Sequence, residues 1–225
     1  MNLHPRITLA RSVFAELIGT CLLVVAVVGS GIMAERLTND LAIQLLANAA
    51  ATVGALYGLI LMFGPLSGAH FNPIVSLTCV MRGELSWSRV LAYVPAQVLG
   101  GCLGAAVANL MFDEAAWQQS TKVRDGGGIW LGEVVATAGL LLVIVLIGNS
   151  RVAAVPSAVA AWIGGAYWLA SSTSLANPAV TVARSLTDSF SGIAPRSVAM
   201  FVVMQMIGAL VAAGVLILLG AWRRQ

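Results

Sequence analysis

The chain has 225 residues, of which 59% are hydrophobic and only 9% are charged, and its mean hydropathy is +0.92. This composition excludes an ordinary soluble globular domain and predicts an integral membrane protein. The net charge is only +3, and the sequence contains no basic stripe with interleaved aromatic residues, so no nucleic-acid partner is expected.

Six apolar runs follow one another along the chain. Each is about long enough to cross a hydrocarbon core of ~30 Å as a helix, which takes ~20 residues. The runs are 12–33, 41–63, 88–112, 129–149, 152–171 and 196–221. Lipid offers no partners to backbone polar groups and period-two alternation is absent, so the predicted fold class is an all-α membrane protein.

The first apolar run has a competing interpretation as a cleaved signal peptide, because Arg6 and Arg11 precede it. The run is long for a signal peptide and it carries Glu16. We therefore interpret it as a retained first transmembrane helix.

Basic residues predict the orientation, because short cytoplasmic loops are enriched in Lys and Arg. Six spans place both termini on one side. That side collects Arg6, Arg11, Arg82, Arg89, Arg151, Arg223 and Arg224, and the other side collects Arg36, Lys122, Arg124, Arg184 and Arg196. This excess of seven to five favours cytoplasmic termini.

The three cysteines, Cys21, Cys79 and Cys102, lie far apart in or near apolar segments. This spacing is not typical of a disulfide framework or a metal-binding cluster. We expect buried free thiols and no metal site.

The chain also contains an internal repeat. "FNPIVSLT" (71–78) aligns with "ANPAVTVA" (176–183), "FAELIGTCLLV" (14–24) with "LGEVVATAGLLLV" (131–143), and "AQVLGGCLGAA" (96–106) with "MQMIGALVAAG" (204–214). Three matches in the same order predict a duplication of three spans each. Because three is odd, the two halves are inverted in the membrane.

The segments 64–88 and 172–195 are too long for tight turns and too polar to cross the membrane. Each is predicted to be a re-entrant half-helix that begins at the proline, with Asn72 or Asn177 as its N-cap. Irregular backbone before each asparagine is tolerable only where protein or a water-filled cavity covers it. The two half-helices are expected to meet near the midplane from opposite faces.

Two helix N-termini at the midplane each present roughly half a positive elementary charge, which disfavours cations and protons. The amide N–H groups of Asn72 and Asn177 are expected to donate hydrogen bonds to a passing hydroxyl or water. A neutral hydrogen-bonding solute would then pass where an ion is rejected.

Together, the two Asn-Pro half-helices, the glutamates in spans one and four, and "YVPAQVLGG" in span three resemble the aquaporin and aquaglyceroporin family. The resemblance covers essentially the whole chain and implies one transmembrane channel domain, 1–225, with repeats at about 11–112 and 129–222. It also implies passive conduction, a homotetramer with one pore per protomer, and a plasma-membrane location, here a bacterial inner membrane. Neither an enzyme activity nor a cofactor is expected.

In that family the residues Asn-Pro-Ala recur at both half-helices. Here the boxes are Asn72, Pro73 and Ile74, and Asn177, Pro178 and Ala179. Ile74 replaces the usual alanine, and we expect a packing adjustment without loss of function.

The second departure is Val180, which occupies the position where most family members carry the arginine of the selectivity filter. Counted back from the asparagines without gaps, the remaining filter positions are Thr52, Gly165 and Ser174. Water-selective members usually place an aromatic residue and a histidine at the first two of these positions, whereas this chain has small side chains there, so the predicted filter is wide and nearly neutral. The chain resembles the bacterial aquaglyceroporins linked to arsenic resistance, which also have this valine. The implied solutes are glycerol-like polyols, arsenite and methylated arsenicals, with water; a water-selective aquaporin is the alternative.

Arg184 lies four residues after Val180 and hence on nearly the same helical face, about one turn further out. One hypothesis places its charge in an outer vestibule, where it attracts partly ionised solutes. The alternative is that Arg184 pairs with Asp188 or extends to the membrane interface.

Glu16 and Glu133 are equivalent in the repeat and are expected to accept hydrogen bonds from the loop of their own half. The rival interpretation makes them proton-relay acids of a secondary transporter. His70 is a candidate for loop bracing beside the pore, or for a pH gate.

Small residues also recur at four-residue spacing, at Gly54 and Gly58, Gly100 and Gly104, and Gly208 and Ala212. Such pairs allow helices to approach closely, within one protomer or between protomers.

Overall fold

A computed structural model describes residues 8–222, and within this range the chain contains helices and no strand. The helices are α1 (Leu9–Leu37), α2 (Leu41–Ser67), α3 (Pro73–Met81), α4 (Trp87–Met111), α5 (Gly127–Ser150), α6 (Val155–Leu169), α7 (Pro178–Arg184) and α8 (Pro195–Leu218). A single 3₁₀ turn at Val152–Ala154 precedes α6. Arg6, Arg223 and Arg224, used above for the orientation, lie outside the described residues.

The six predicted spans are confirmed as helices that are long and apolar enough to cross a membrane. Several extend a few residues beyond the apolar runs, and polar side chains cap the first turns of α1 and α2. Thr8 caps α1 by accepting a hydrogen bond from the backbone N–H of Arg11 at 3.3 Å. Asp40 caps α2 by accepting hydrogen bonds from the backbone N–H groups of Ala42 and Ile43.

The two short helices α3 and α7 are the predicted half-helices. Each begins at a proline, which already has the backbone angle of a first helical residue and lacks the N–H that would be unpaired there. The predicted N-caps are confirmed: Asn72 Oδ1 accepts a hydrogen bond from the N–H of Ile74 at 2.9 Å, and Asn177 Oδ1 from that of Ala179 at 3.0 Å.

Packing follows the internal repeat. In the first half α1 packs on α2 and α4, and in the second half α5 packs on α6 and α8 in the same way. The half-helix α3 lies against α4, and α7 lies against α8. The halves are joined because α2 packs on α6, and α7 also packs on α4. The inverted three-helix repeat is thus one interlocked bundle.

Glycines bring the long helices of each half into backbone contact. A Cβ atom at Gly100 would lie 2.2 Å from the carbonyl oxygen of Leu17, and one at Gly104 would lie 2.3 Å from that of Cys21. In the second half, a Cβ atom at Gly208 would lie 2.7 Å from the carbonyl oxygen of Val134. These glycines therefore serve packing within the protomer, which the sequence left undecided.

The pair Gly54 and Gly58 on α2 differs from the others. Both residues are exposed, and a Cβ atom at either would have no neighbour within 4 Å among the described residues. Neither glycine brings two helices together within residues 8–222.

Gly104→Ala is expected to destabilise the protein by about 1–3 kcal/mol, because the new methyl group meets backbone and forces α1 and α4 apart. The measurement is the melting temperature of the purified protein in detergent. Gly214→Ala on α8 is the matched control, since Gly214 is exposed, its methyl group would meet no described residue within 4 Å, and alanine favours the helix. Equal melting temperatures for the two variants would contradict this interpretation of the α1–α4 contact.

Candidate functional site

Glu16 of α1 holds the loop that precedes the first half-helix. Its carboxylate is completely buried and accepts hydrogen bonds from the backbone N–H groups of His70 at 2.9 Å and Phe71 at 2.7 Å. The Ser67 hydroxyl and the Gln97 amide also donate to it. Every donor is a loop or helix group of the same half, so the buried charge is compensated locally.

Glu133 of α5 does the same in the second half. It accepts hydrogen bonds from the backbone N–H groups of Leu175 at 2.8 Å and Ala176 at 2.9 Å, and from the Gln205 amide at 2.7 Å. Gln205 also donates to the Thr181 hydroxyl, as Gln97 donates to that of Ser76. The two carboxylates thus occupy equivalent positions in the repeat.

These hydrogen bonds hold an unusual backbone. Ala69 and Phe71 have φ angles of 50° and 49°, and the equivalent Ser174 and Ala176 have φ angles of 53° and 46°. A left-handed conformation costs a residue with a side chain roughly 1–2 kcal/mol. The N–H bonds to the buried carboxylates offset this cost, so each loop follows one defined path to its asparagine.

The two loops are linked to each other where the half-helices meet. Asn72 Nδ2 donates a hydrogen bond to the carbonyl oxygen of Ala176, and Asn177 Nδ2 donates one to that of Phe71, both at 2.8 Å. The expectation that these amides are free for a passing solute is therefore only half right. One N–H of each amide is used in the link, and the other remains.

A cavity of about 370 Å³ runs past both asparagines, from Arg82 at one end to Arg184 at the other. Its wall includes Val75 and Val180, which lie three residues after Asn72 and Asn177, and Cys79 and Arg184, which lie seven residues after them. Equivalent faces of α3 and α7 therefore line the cavity. Residues of both halves line it along its length, as expected for a passage between two inverted repeats.

Toward the Arg184 end, the predicted filter residues Thr52, Ser174 and Val180 line the cavity, and all three are buried. Tyr167 joins them, with its hydroxyl 3.1 Å from the Thr52 hydroxyl. The Ser174 hydroxyl has no hydrogen-bond partner among the described residues.

Gly165 does not belong to this group, and its predicted filter position is wrong. It is exposed, it does not line the cavity, and a Cβ atom there would meet no neighbour within 4 Å in the described part of the chain. The face of α6 that lines the cavity is Val159, Ile163 and Tyr167, at four-residue spacing. Counting without gaps through the irregular loop reached Gly165, whereas Tyr167, two residues later, lines the cavity. The cavity therefore has an aromatic side chain where small ones were expected.

The remaining predicted residues lie in different surroundings. His70 lines the cavity, and its Nδ1 lies 3.0 Å from the Ser76 hydroxyl. Ile74 does not line the cavity but packs against Ala138, Leu141 and Ala212. Small alanines on α5 and α8 thus make room for its bulk.

Arg184 is 2% exposed and lines the cavity, with Nε donating a hydrogen bond to the carbonyl oxygen of Ser191. The alternative that it pairs with Asp188 is wrong. Asp188 instead accepts hydrogen bonds from the backbone N–H and the hydroxyl of Thr121.

The Major intrinsic protein family model matches residues 4–176, which is more than half of the chain. The chain belongs to the major intrinsic protein family.

Known members of the major intrinsic protein family agree with this assignment. The chain is 50% identical over 204 residues to "Aquaglyceroporin AqpS" of Rhizobium meliloti, covering 91% of this chain and 88% of that protein. It is 29% identical over 156 residues to "Probable glycerol uptake facilitator protein" of Thermotoga maritima, covering 62% and 65%. The X-ray structure of the aquaglyceroporin from Plasmodium falciparum superimposes with a TM-score of 0.71 at 21% identity, covering 93% of this chain and 96% of that one, and shows the same fold.

Proteins of the major intrinsic protein family are membrane channels rather than enzymes. The channel of this member also contains residues that sequence reasoning missed, namely Arg82, Cys79 and Tyr167. The signal for Cys79 and Tyr167 was present as helical spacing from Val75 and from Ile163. Arg82 had no local signal, because its partners Asn149, Ala221 and Trp222 are distant in sequence.

A charged thiol reagent of the methanethiosulfonate class is expected to block solute flux through this channel by modifying Cys79, which lines the cavity. Cys21 and Cys102 do not line it. Cys79→Ser should remove most of the block, and the matched variant Cys102→Ser should keep it. The measurement is solute uptake into proteoliposomes before and after labelling. Equal block of both variants would show that Cys79 is not the accessible thiol.

Proposed function

We propose that this protein is a passive channel for small uncharged polyhydroxy solutes of the glycerol class, with water, and that its filter consists of Thr52, Tyr167, Ser174 and Val180. The observation that carries the proposal is Val180. An aliphatic side chain lines the passage at the position where most family members place a charged arginine, which leaves more width and less charge.

The chemistry of the passage supports this solute class. Hydroxyl groups of Thr52, Tyr167 and Ser174 are available to the hydroxyls of a polyol, while aliphatic side chains such as Leu23 and Val27 line the same cavity. A polyol has one hydrogen-bonding edge and one carbon edge, so a wall of both kinds compensates its lost hydration. The names of the relatives, an aquaglyceroporin and a glycerol uptake facilitator, agree with this class.

Arsenite and methylated arsenicals are included as solutes. Trivalent arsenic in water is a neutral trihydroxy species that is similar to a polyol in size and hydrogen bonding. A filter that passes glycerol because of its width and its hydroxyl contacts therefore excludes this arsenic species neither by charge nor by size.

Ions are excluded near the asparagines. The N-termini of α3 and α7 converge there, and each presents the positive end of a helix dipole. The residual N–H of each asparagine amide can orient a hydroxyl but cannot replace the hydration of a cation.

We infer that the whole chain, 1–225, forms one channel unit and that four copies assemble into a homotetramer, as is general in the family. The exposed glycines Gly54, Gly58 and Gly165 support this, because their open surfaces allow close approach of another protomer. We place the protein in the bacterial plasma membrane with both termini cytoplasmic, so that the Arg184 end of the channel is the outer end.

The test is solute flux into proteoliposomes, measured by light scattering for water and glycerol and by arsenic content for arsenite and methylarsenite. We expect flux of all four that is linear in concentration and independent of proton or sodium gradients. A water-selective channel would pass water alone. Saturation, or dependence on an ion gradient, would establish a secondary transporter instead.

A further inference from the structure

The Arg184 guanidinium is a buried positive charge without an acidic partner. Nε donates to the carbonyl oxygen of Ser191, and within residues 8–222 the two terminal nitrogens donate no hydrogen bond. The salt bridges of this region are Lys122 with Glu35 and Arg36 with Glu114, neither of which includes Arg184. Two of the three nitrogens of the guanidinium group are thus left without a protein partner.

The neighbouring charged side chains, Glu133 and Arg124, provide no partner for the Arg184 guanidinium. The carboxylate of Glu133 is occupied by Leu175, Ala176 and Gln205. Arg124 lies close enough to repel Arg184, and its own guanidinium donates to the Gly192, Ser172 and Phe190 carbonyls. Burial, and after it the positive charge of Arg184, lowers the pKa of Arg124 to about 9, so that Arg124 is still charged at pH 7.

An unpaired charge in such a place is costly. Removing a charge from water costs several kcal/mol unless a counter-charge or hydrogen bonds compensate it. The carbonyl of Ser191 and the negative end of the α7 dipole offset part of this cost. The remaining compensation for the buried charge must come from groups inside the channel, because the Arg184 side chain lines the cavity.

The opposite end of the channel shows the contrast. Arg82 also lines the cavity, but its guanidinium pairs with Glu84 at 2.8 Å and donates to Asn149 and to the carbonyls of Ala221 and Trp222. Arg82 is therefore neutralised and saturated by protein groups. Of the two arginines that line the channel, Arg184 therefore has N–H donors without a partner among the described residues, and Arg82 does not.

We propose that the Arg184 end of the channel holds a binding site for one small monovalent oxyanion, in which the terminal nitrogens of Arg184 bind the anion and the unpartnered Ser174 hydroxyl lies in the same wall. A planar guanidinium with two free donors suits the oxygen pair of a carboxylate or sulfonate. The bound anion occupies the solute path and reduces the flux of neutral solutes. This inference rests on the proposed channel function for its effect on flux, but not for the binding itself.

The test uses methanesulfonate, which stays an anion at all working pH values. Glycerol permeability of proteoliposomes is expected to fall by about half when the methanesulfonate concentration equals its dissociation constant, as simple occupancy requires. Arg184→Gln should abolish this inhibition, with each variant compared with its own flux without the anion. Arg196→Gln removes an exposed arginine at the start of α8 and should leave both flux and inhibition unchanged.

Binding is measured separately on the purified protein in detergent. Methanesulfonate is expected to raise the melting temperature of the wild type and of Arg196→Gln, and not that of Arg184→Gln. Arg184→Lys keeps the charge and should keep a weaker effect, which separates loss of the anion site from misfolding.

The outcomes distinguish the two proposals. Robust glycerol flux without inhibition, or inhibition that is equal in the wild type and Arg184→Gln, overturns the anion site and leaves the channel intact. Absence of glycerol flux together with a melting-temperature shift that depends on Arg184 overturns the proposed solute class and supports the anion site.

Discussion

Replacement of Val180 by arginine is expected to lower glycerol permeability by about tenfold or more, while water continues to pass. An added barrier of about 1.4 kcal/mol is enough for a tenfold change. The long side chain would extend into a cavity of about 370 Å³ beside Tyr167 and Ser174. It would also place a second guanidinium one helical turn from Arg184. The measurement is the ratio of glycerol to water permeability in proteoliposomes, for the wild type and Val180→Arg.

Val180→Leu is the matched control for this experiment, because it adds volume without charge. If leucine changes the ratio of glycerol to water permeability slightly and arginine changes it strongly, the selectivity depends on the charge of the filter as well as on its width. If glycerol permeability were unchanged in Val180→Arg, Val180 would not be at the constriction, and the proposed filter would be misplaced.

Replacement of Glu133 by glutamine is expected to destabilise the protein by about 2–3 kcal/mol. The carboxylate accepts three hydrogen bonds, and an amide turns one acceptor into a donor that faces buried N–H groups. For a chain of this length the expected fall in melting temperature is about 5–10 °C. Glu114→Gln is the control, since its ion pair with Arg36 is nearly half exposed and contributes ~1 kcal/mol at most.

Glu133→Gln also distinguishes two roles for Glu133, namely bracing of the loop and proton coupling of transport. If Glu133 were a proton-relay acid, wild-type uptake would respond to a pH gradient and the folded glutamine variant would lose that response. For a bracing residue, uptake per folded molecule is independent of the gradient in both proteins. A normal melting temperature combined with lost gradient dependence would contradict the bracing role.

The helices and the repeat could be predicted from the sequence because their causes are local. A run of about 20 apolar residues must form a helix in lipid, whatever surrounds it. In an Asn-Pro pair, the asparagine caps the N-terminus of the helix and the proline is the first helical residue. The odd number of spans in each repeat then requires the inversion, so the architecture follows from order and length alone.

The proposed filter depends on distances between residues that no local sequence pattern encodes. Tyr167 reaches Thr52 from a helix 115 residues away, and the irregular loop before Asn177 removes the register on which counting relies. Glycines on α2 and α4 have the same spacing, yet in the described part of the chain the α4 pair, Gly100 and Gly104, contacts another helix and the α2 pair does not. Helix rotation and approach arise from packing of the whole bundle.

The sequence by itself thus predicted six membrane-spanning helices in an inverted repeat, and it led us to propose Val180 as the residue at the position of the family's filter arginine. Only the tertiary structure decided that Tyr167 and not Gly165 lines the passage, that each asparagine donates across to the opposite loop, and that Arg184 has no acidic partner within residues 8–222. The physical reason is the same in each case. Hydrophobicity and helix capping depend on residues that are close in sequence. A tertiary hydrogen bond, or a charge without a partner, depends on which side chains the fold brings within about 3 Å of each other.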